Sequence, residues 1–146
     1  MPALADLPVG HTFPPISFTV DAEKSRAYRA ATGDALALYE EQSAVPPLAV
    51  AALALGALME VIDLPDGTLH GNETLQAHAA VPVGAALTCA PAVTRNSTRA
   101  GMVFTTFEFV VSHEDKPVIT ARATVLYPAS ESSLSPKSER GLGGEV

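Results

Sequence analysis

The feature that most limits how this chain can fold is an uncharged apolar run from Leu48 to Met59, which continues to Ile62 with one interruption at Glu60. Pro46-Pro47 precedes it, and proline suits the first turn of a helix because the N–H it lacks would have no partner there. A helix that is apolar all round must be covered by protein on most sides. The run is also shorter than the roughly 20 residues that cross a bilayer. It therefore predicts a buried central helix.

The sequence after this helix alternates apolar and polar residues with a period of two, which is typical of strands with one buried face. The turn residues Pro82-Val83-Gly84 and Glu114-Asp115-Lys116-Pro117 separate such segments. The predicted strands are Thr74–Val81, Ala85–Arg95, Val103–Val111 and Ile119–Tyr127. Because short turns join them, they form a largely antiparallel sheet.

The sequence before the central helix predicts a short strand over Phe13–Val20 and a helix over Ala22–Ala31. Asp21 is the N-cap of that helix and Gly33 ends it. The mixed segment from 34 to 45 is predicted to be a loop. Residues 129–146 contain too few apolar side chains to offset the entropy of ordering, so we expect one domain over 1–128 and a disordered tail.

These elements define an α+β fold in which one antiparallel sheet must cover one long apolar helix. A sheet curled around the helix, the hotdog fold, meets this requirement. An α+β sandwich with the helix on a flat sheet face is the alternative. The all-round apolarity of Leu48–Met59 favours the hotdog fold unless a partner subunit covers the far side of the helix.

Charge and cysteine content exclude several classes of function. The net charge of −7 argues against nucleic-acid binding, which needs clustered Lys and Arg. Cys89 is the only cysteine, so no intrachain disulfide is available and a reducing cytoplasm is the expected location. No basic residue precedes an apolar run at the N-terminus, so no secretory signal is expected. Along one extended strand His70 and His78 would lie roughly 26 Å apart, so no metal site is expected.

Several short motifs resemble, in their order and spacing, those of the MaoC-like hydratase/dehydratase family, in particular the N-terminal hotdog domain of fatty-acid-synthase-type dehydratases. The resemblance runs from about Val9 to Pro128. The motifs are Tyr28-Arg29-Ala30-Ala31-Thr32-Gly33-Asp34, Tyr39-Glu40-Glu41, Pro46-Pro47, Leu69-His70-Gly71, Pro82-Val83-Gly84 and Lys116-Pro117-Val118.

The resemblance implies hydration of 2-enoyl thioesters or dehydration of 3-hydroxyacyl thioesters, carried on CoA or a carrier protein, without a cofactor. It assigns Asp34 as the acid/base group and Tyr39 as a supporting hydrogen-bond donor. The substrate-binding positions that it implies are Pro47, Leu48, Ala49 and His70. A carboxylate performs general acid/base work, and a helix N-terminus stabilises developing oxyanion charge.

The chain departs from the family pattern at three places, which leave other functions open. Tyr39 stands where the family has its catalytic histidine, Leu36-Ala37 replaces Asn-Pro, and Pro47 replaces a glycine. A phenol is a poor base at neutral pH. The alternatives are a catalytically silent acyl-binding subunit of a heteromeric hydratase and a hotdog acyl thioesterase. In each case we expect a homodimer or a hotdog heterodimer.

Overall fold

The computed structural model describes residues 3–129, so the predicted tail lies outside the described residues apart from Ala129. A 3-10 turn, Leu4–Asp6, precedes the main elements. These are β1 Ile16–Thr19, α1 Ala22–Thr32, α2 Leu38–Glu41, β2 Ala44–Val45, α3 Pro47–Met59, β3 Leu69–Ala77, β4 Val81–Pro82, β5 Ala86–Arg99, β6 Met102–His113 and β7 Lys116–Pro128. Among the described helices none is long and apolar enough to cross a membrane.

The main sheet is antiparallel and has the strand order β1-β5-β6-β7-β3. One face of it is apolar because the strands alternate: along β6, Val103, Phe107 and Phe109 are buried while Phe104 and Glu108 are only partly so. Helix α3 packs against β1, β3 and β7. The predicted hotdog arrangement of an antiparallel sheet around the apolar helix is therefore confirmed.

Helix α3 is covered on one side only within this chain. Val50, Ala54 and Leu58 are fully buried against the sheet. On the opposite side Leu48 is 50% exposed, and Ala52 and Gly56 below it are also exposed. The prediction that protein surrounds this helix on most sides thus fails for the single chain. The three exposed residues are spaced four apart, so they form one apolar stripe along the helix.

Two predicted boundaries are wrong around the first long strand. That strand begins earlier, at Leu69, and ends at Ala77 instead of Val81. The N–H groups of His78 and Ala79 both point to the carbonyl of Val118, at 2.8 and 3.4 Å, so the regular ladder stops there. Val81 then starts β4, which pairs with β2 in the predicted loop, because burial of Val81 beside Val45 continues the core.

The partly buried side chain of Asn96 helps to hold the N-terminal segment to the inner face of the sheet. The Asn96 amide nitrogen donates to the carbonyls of Leu4 and Leu7, at 3.0 and 2.9 Å. Its amide oxygen accepts from the hydroxyl of Thr105, at 3.0 Å. A bulge between Val93 and Arg95 sets this register, in which Asn96 lies opposite Thr105 on the inner face.

Candidate functional site

Asp34 is fixed at the C-terminal end of α1. Gly33 adopts the left-handed conformation, with φ 72°, that commonly ends a helix and that a side chain disfavours. The N–H of Asp34 then donates to the carbonyl of Arg29 at 2.8 Å, and its carboxylate accepts from the N–H of Leu36 at 3.1 Å. The half-buried carboxylate keeps a second oxygen for another donor.

Tyr39 lies on α2, which an ion pair holds against α1. The Arg29 guanidinium donates to the Glu40 carboxylate at 2.6 Å and lies 5.9 Å from the centroid of the Tyr39 ring. This hydrogen bond, and then the charge of Arg29, lowers the pKa of the Glu40 carboxyl. The Arg29 side chain is only 11% exposed, so Tyr39 packs on a well-covered cation.

The pKa of Tyr28 is affected by both predicted catalytic residues and by Glu73, which the sequence analysis did not identify. Partial burial raises the pKa of its phenol, and the nearby charges of Glu73 and Asp34, followed by Tyr39, raise the pKa further. The charges that act on Tyr28 therefore include those of both predicted catalytic residues, Asp34 and Tyr39, together with that of Glu73 on β3.

His70 and Glu73 are neighbours on the inner face of β3. Nε2 of His70 lies 3.5 Å from Oε1 of Glu73. The Glu73 side chain is 15% exposed, and its other oxygen is buried without a hydrogen-bond partner among the described residues. His70 is 45% exposed, which places its imidazole at the mouth of this cluster.

A bulge explains why two residues three apart share a face of the strand. Alternation alone would place residues i and i+3 on opposite faces. The pairing of β3 with β7 shifts between His70 and Asn72, so that His70 lies opposite Val125 and Glu73 opposite Ala123, both of which face the core. Gly71 occupies the bulge, where a Cβ would lie 2.6 Å from Cδ2 of Leu126.

The first turn of α3 offers one free N–H. The N–H groups of Ala49 and Val50 donate to the carbonyl of Pro46, at 3.0 and 3.3 Å, and Pro47 has none. Leu48 keeps the only N–H of this turn without a partner in residues 3–129. Over that range no hydrogen bond or ion pair joins Pro47, Leu48 or Ala49 to Asp34 or Tyr39.

The only signal for Glu73 in the sequence is its position after His70-Gly71. The glycine marks a place where a bulge can form, but alternation counted along the strand separates the two side chains. That the charge of Glu73 on β3 acts on Tyr28 of α1 depends on the relative positions of two elements, which no local pattern specifies.

Solved structures with a similar fold include an (R)-hydratase from A. caviae involved in PHA biosynthesis, with 22% identity and TM-score 0.67, covering 82% of this chain and 96% of that one. The MaoC-like dehydratase from Rhodospirillum rubrum has 18% identity and TM-score 0.68, covering 89% and 99%. The HadBC 3R-hydroxyacyl-ACP dehydratase complex from Mycobacterium tuberculosis has 19% identity and TM-score 0.66, covering 82% and 96%. No curated protein sequence matches.

The fold and these structural neighbours define the class as a hotdog protein. A family model described as the FAS1-like dehydratase domain region matches residues 8–121. The chain therefore belongs to the FAS1-like dehydratase-region family, and the resemblance seen in the sequence is confirmed at the level of the family.

Proposed function

We propose that this chain hydrates 2-enoyl thioesters and, in reverse, dehydrates 3-hydroxyacyl thioesters carried on CoA or a carrier protein. The observation that carries the proposal is Asp34, held at the end of α1 with one carboxylate oxygen free, in a chain of the dehydratase-region family. This position agrees with the acid/base role that the sequence motif assigns to it.

The chemistry is proton transfer coupled to carbonyl activation. Water adds at C3 of the enoyl thioester and a proton adds at C2, while negative charge develops on the thioester oxygen. Asp34 acts as an acid/base group for these proton transfers. The free N–H of Leu48 donates to the thioester oxygen at the positive end of α3. Pro47, Ala49 and His70 border the acyl group, and no cofactor takes part.

Tyr39 has a supporting part in this proposal. Its phenol can donate a hydrogen bond to water or to the substrate hydroxyl, although it is a poor base at neutral pH. Its ring lies 5.9 Å from the guanidinium carbon of Arg29, a cation–π contact that favours this position of the ring.

The test measures loss of the conjugated thioester absorbance with 2-enoyl-CoA substrates of increasing chain length. Asp34→Asn should lower kcat by about 10²- to 10⁴-fold, the usual contribution of a positioned acid/base group. Tyr39→Phe should cost much less. The matched control is Asp115→Asn in the exposed β6–β7 turn, where φ is 64° and asparagine is well tolerated. A wild-type rate that Asp34→Asn leaves unchanged would remove Asp34 from the mechanism.

A silent subunit of a heteromeric hydratase is the second candidate, because the loop lacks the family's histidine and α3 has the exposed stripe Leu48, Ala52 and Gly56. The HadBC dehydratase, which has the same fold, is itself a complex. Activity that appears only after addition of a hotdog chain with an intact Asp and His pair would favour this candidate. Release of free thiol from an acyl-CoA would instead indicate a thioesterase.

We propose assembly with a second hotdog chain, either as a homodimer or as a heterodimer. In the described residues β3 pairs only with β7, so its other edge is open to a partner strand. The lone thiol of Cys89 is compatible with a cytoplasmic location. Light scattering tests the assembly, and a monomer at micromolar concentration in the presence and absence of a candidate partner would contradict it.

A further inference from the structure

We propose that His70 and Glu73 supply the imidazole–carboxylate pair that the loop around Tyr39 lacks, with His70 as the group that transfers protons and Glu73 as the residue that positions it. This inference rests on the proposed hydratase function and names a further part of its machinery. It moves the imidazole from the loop, where the family has it, to the first residues of β3.

The first argument is that the backbone is arranged to bring the two side chains together. The bulge at Gly71 places both on the inner face of β3, with Nε2 of His70 and Oε1 of Glu73 at 3.5 Å. At this distance the carboxylate favours one orientation of the imidazole ring.

The second argument is that the position of Glu73 lowers the stability of the fold. Its side chain lies opposite the fully buried Ala123, and one of its oxygens has no partner among the described residues. A carboxylate in such a place lowers stability unless it is fully hydrogen-bonded. By contrast, Glu108 forms an exposed ion pair with Arg122, at 2.9 Å on the outer face of the same sheet. Such a surface pair keeps the carboxylate in contact with water and avoids the cost of burial.

The third argument is the position of the pair relative to the proposed acid/base group. The charges of Glu73 and Asp34 both raise the pKa of the Tyr28 phenol, so the β3 carboxylate and the carboxylate at the end of α1 influence the same side chain. His70 is half-exposed, so a substrate can reach the imidazole. In this proposal water and the acyl chain meet beside the His70–Glu73 pair, with Asp34 as the second acid/base group.

The step balances without any further reactant. Asp34 accepts a hydrogen bond from the attacking water through its free carboxylate oxygen and so assists the transfer. His70 takes a proton from that water as the water oxygen bonds to C3, and the electrons of the C2–C3 double bond move toward the thioester oxygen. The imidazolium, held by Glu73, then returns that proton to C2. One water molecule has been added, and the imidazole and the carboxylate are back in their starting states. Dehydration follows the same path in reverse.

The experiment compares His70→Ala and Glu73→Gln with two matched controls in the full chain, assayed alone and with any hotdog partner needed for activity. The controls are His78→Ala, an exposed histidine bonded to Thr120 at 2.9 Å, and Glu108→Gln on the outer face. His70→Ala should lower kcat by about 10²- to 10³-fold with little change in KM. Glu73→Gln should lower kcat by roughly tenfold, also with KM little changed.

Two further readouts separate a catalytic role from a structural one. Added imidazole should restore part of the rate of His70→Ala but none of the rate of Asp34→Asn. The melting temperature of Glu73→Gln should equal or exceed that of the wild type, whereas a structural ion pair would make it fall.

Full activity of His70→Ala while Asp34→Asn is inactive would overturn this inference and leave the proposed function standing. The inference is likewise overturned if His70→Ala has no effect in an active mixture with a partner. A wild type that is inactive on every enoyl thioester, alone and with a partner, would overturn both the inference and the proposed function.

Discussion

Replacing Asn96 by leucine should destabilise the protein strongly, because this one side chain makes three partly buried hydrogen bonds. Its amide bonds the carbonyls of Leu4 and Leu7 and the hydroxyl of Thr105, all at 2.9 to 3.0 Å. Thr105 is fully buried, and leucine fills a similar volume without leaving room for water. At a net contribution of about 1 kcal/mol for each bond, the loss is about 3 kcal/mol.

Urea and thermal unfolding at matched protein concentration measure this change, since association also contributes to stability. A loss of this size lowers the melting temperature by roughly 10 °C in a domain of this length. Asn72→Leu on exposed backbone of β3 is the control and should stay within about 0.5 kcal/mol. Thr105→Val should cost less in the Asn96→Leu background than alone, because its hydroxyl is already without a partner there. An Asn96→Leu protein as stable as the wild type would refute this account.

Three further predictions follow from the core and the central helix. Burial raises the pKa of the Cys89 thiol from 9.0 to about 11, so the folded state favours the neutral thiol. The free energy of unfolding should therefore fall as the pH rises from about 9 to 11. In Cys89→Ala, the plot of this free energy against pH should be flatter over that range. Ala54→Asp should abolish folding by circular dichroism, whereas Ala52→Asp on the open side of α3 should leave the monomer folded and weaken association in light scattering. Phe107→Ala should cost about 3 to 5 kcal/mol in urea unfolding, since the ring is fully buried, and a smaller loss would show that the core refills the space.

Most of the fold could be predicted because its patterns are local. The apolar run from Leu48 to Met59 allows only a helix with a covered face, and the alternation in β6 and β7 allows only strands with one buried side. The error at Val81 has the same origin. The alternation continues through the residues where the chain leaves the sheet, so the pattern alone could not show that Val81 pairs with Val45.

The candidate site was predictable only in part. The motif ending in Gly33-Asp34 located the end of α1, because a glycine in the left-handed conformation marks a helix terminus locally. Leu48 and Ala49 were both predicted to lie at the substrate, but only the structure shows which of them has a free N–H. The N–H of Ala49 donates to the carbonyl of Pro46, which leaves that of Leu48 free among the described residues. Glu73 was missed because counting along a regular strand places it away from His70.

The sequence by itself determined the long elements, the apolar central helix and the family, since hydrophobic periodicity, caps and motif spacing are properties of neighbouring residues. Only the tertiary structure decided which charged and polar groups meet. The bulge at Gly71 turns His70 and Glu73 to one face, and the charge of Glu73 acts on Tyr28 of α1 together with that of Asp34. The bulge depends on the pairing of β3 with β7, and Glu73 and Tyr28 belong to different elements, so packing of the whole domain fixes these arrangements rather than any local preference.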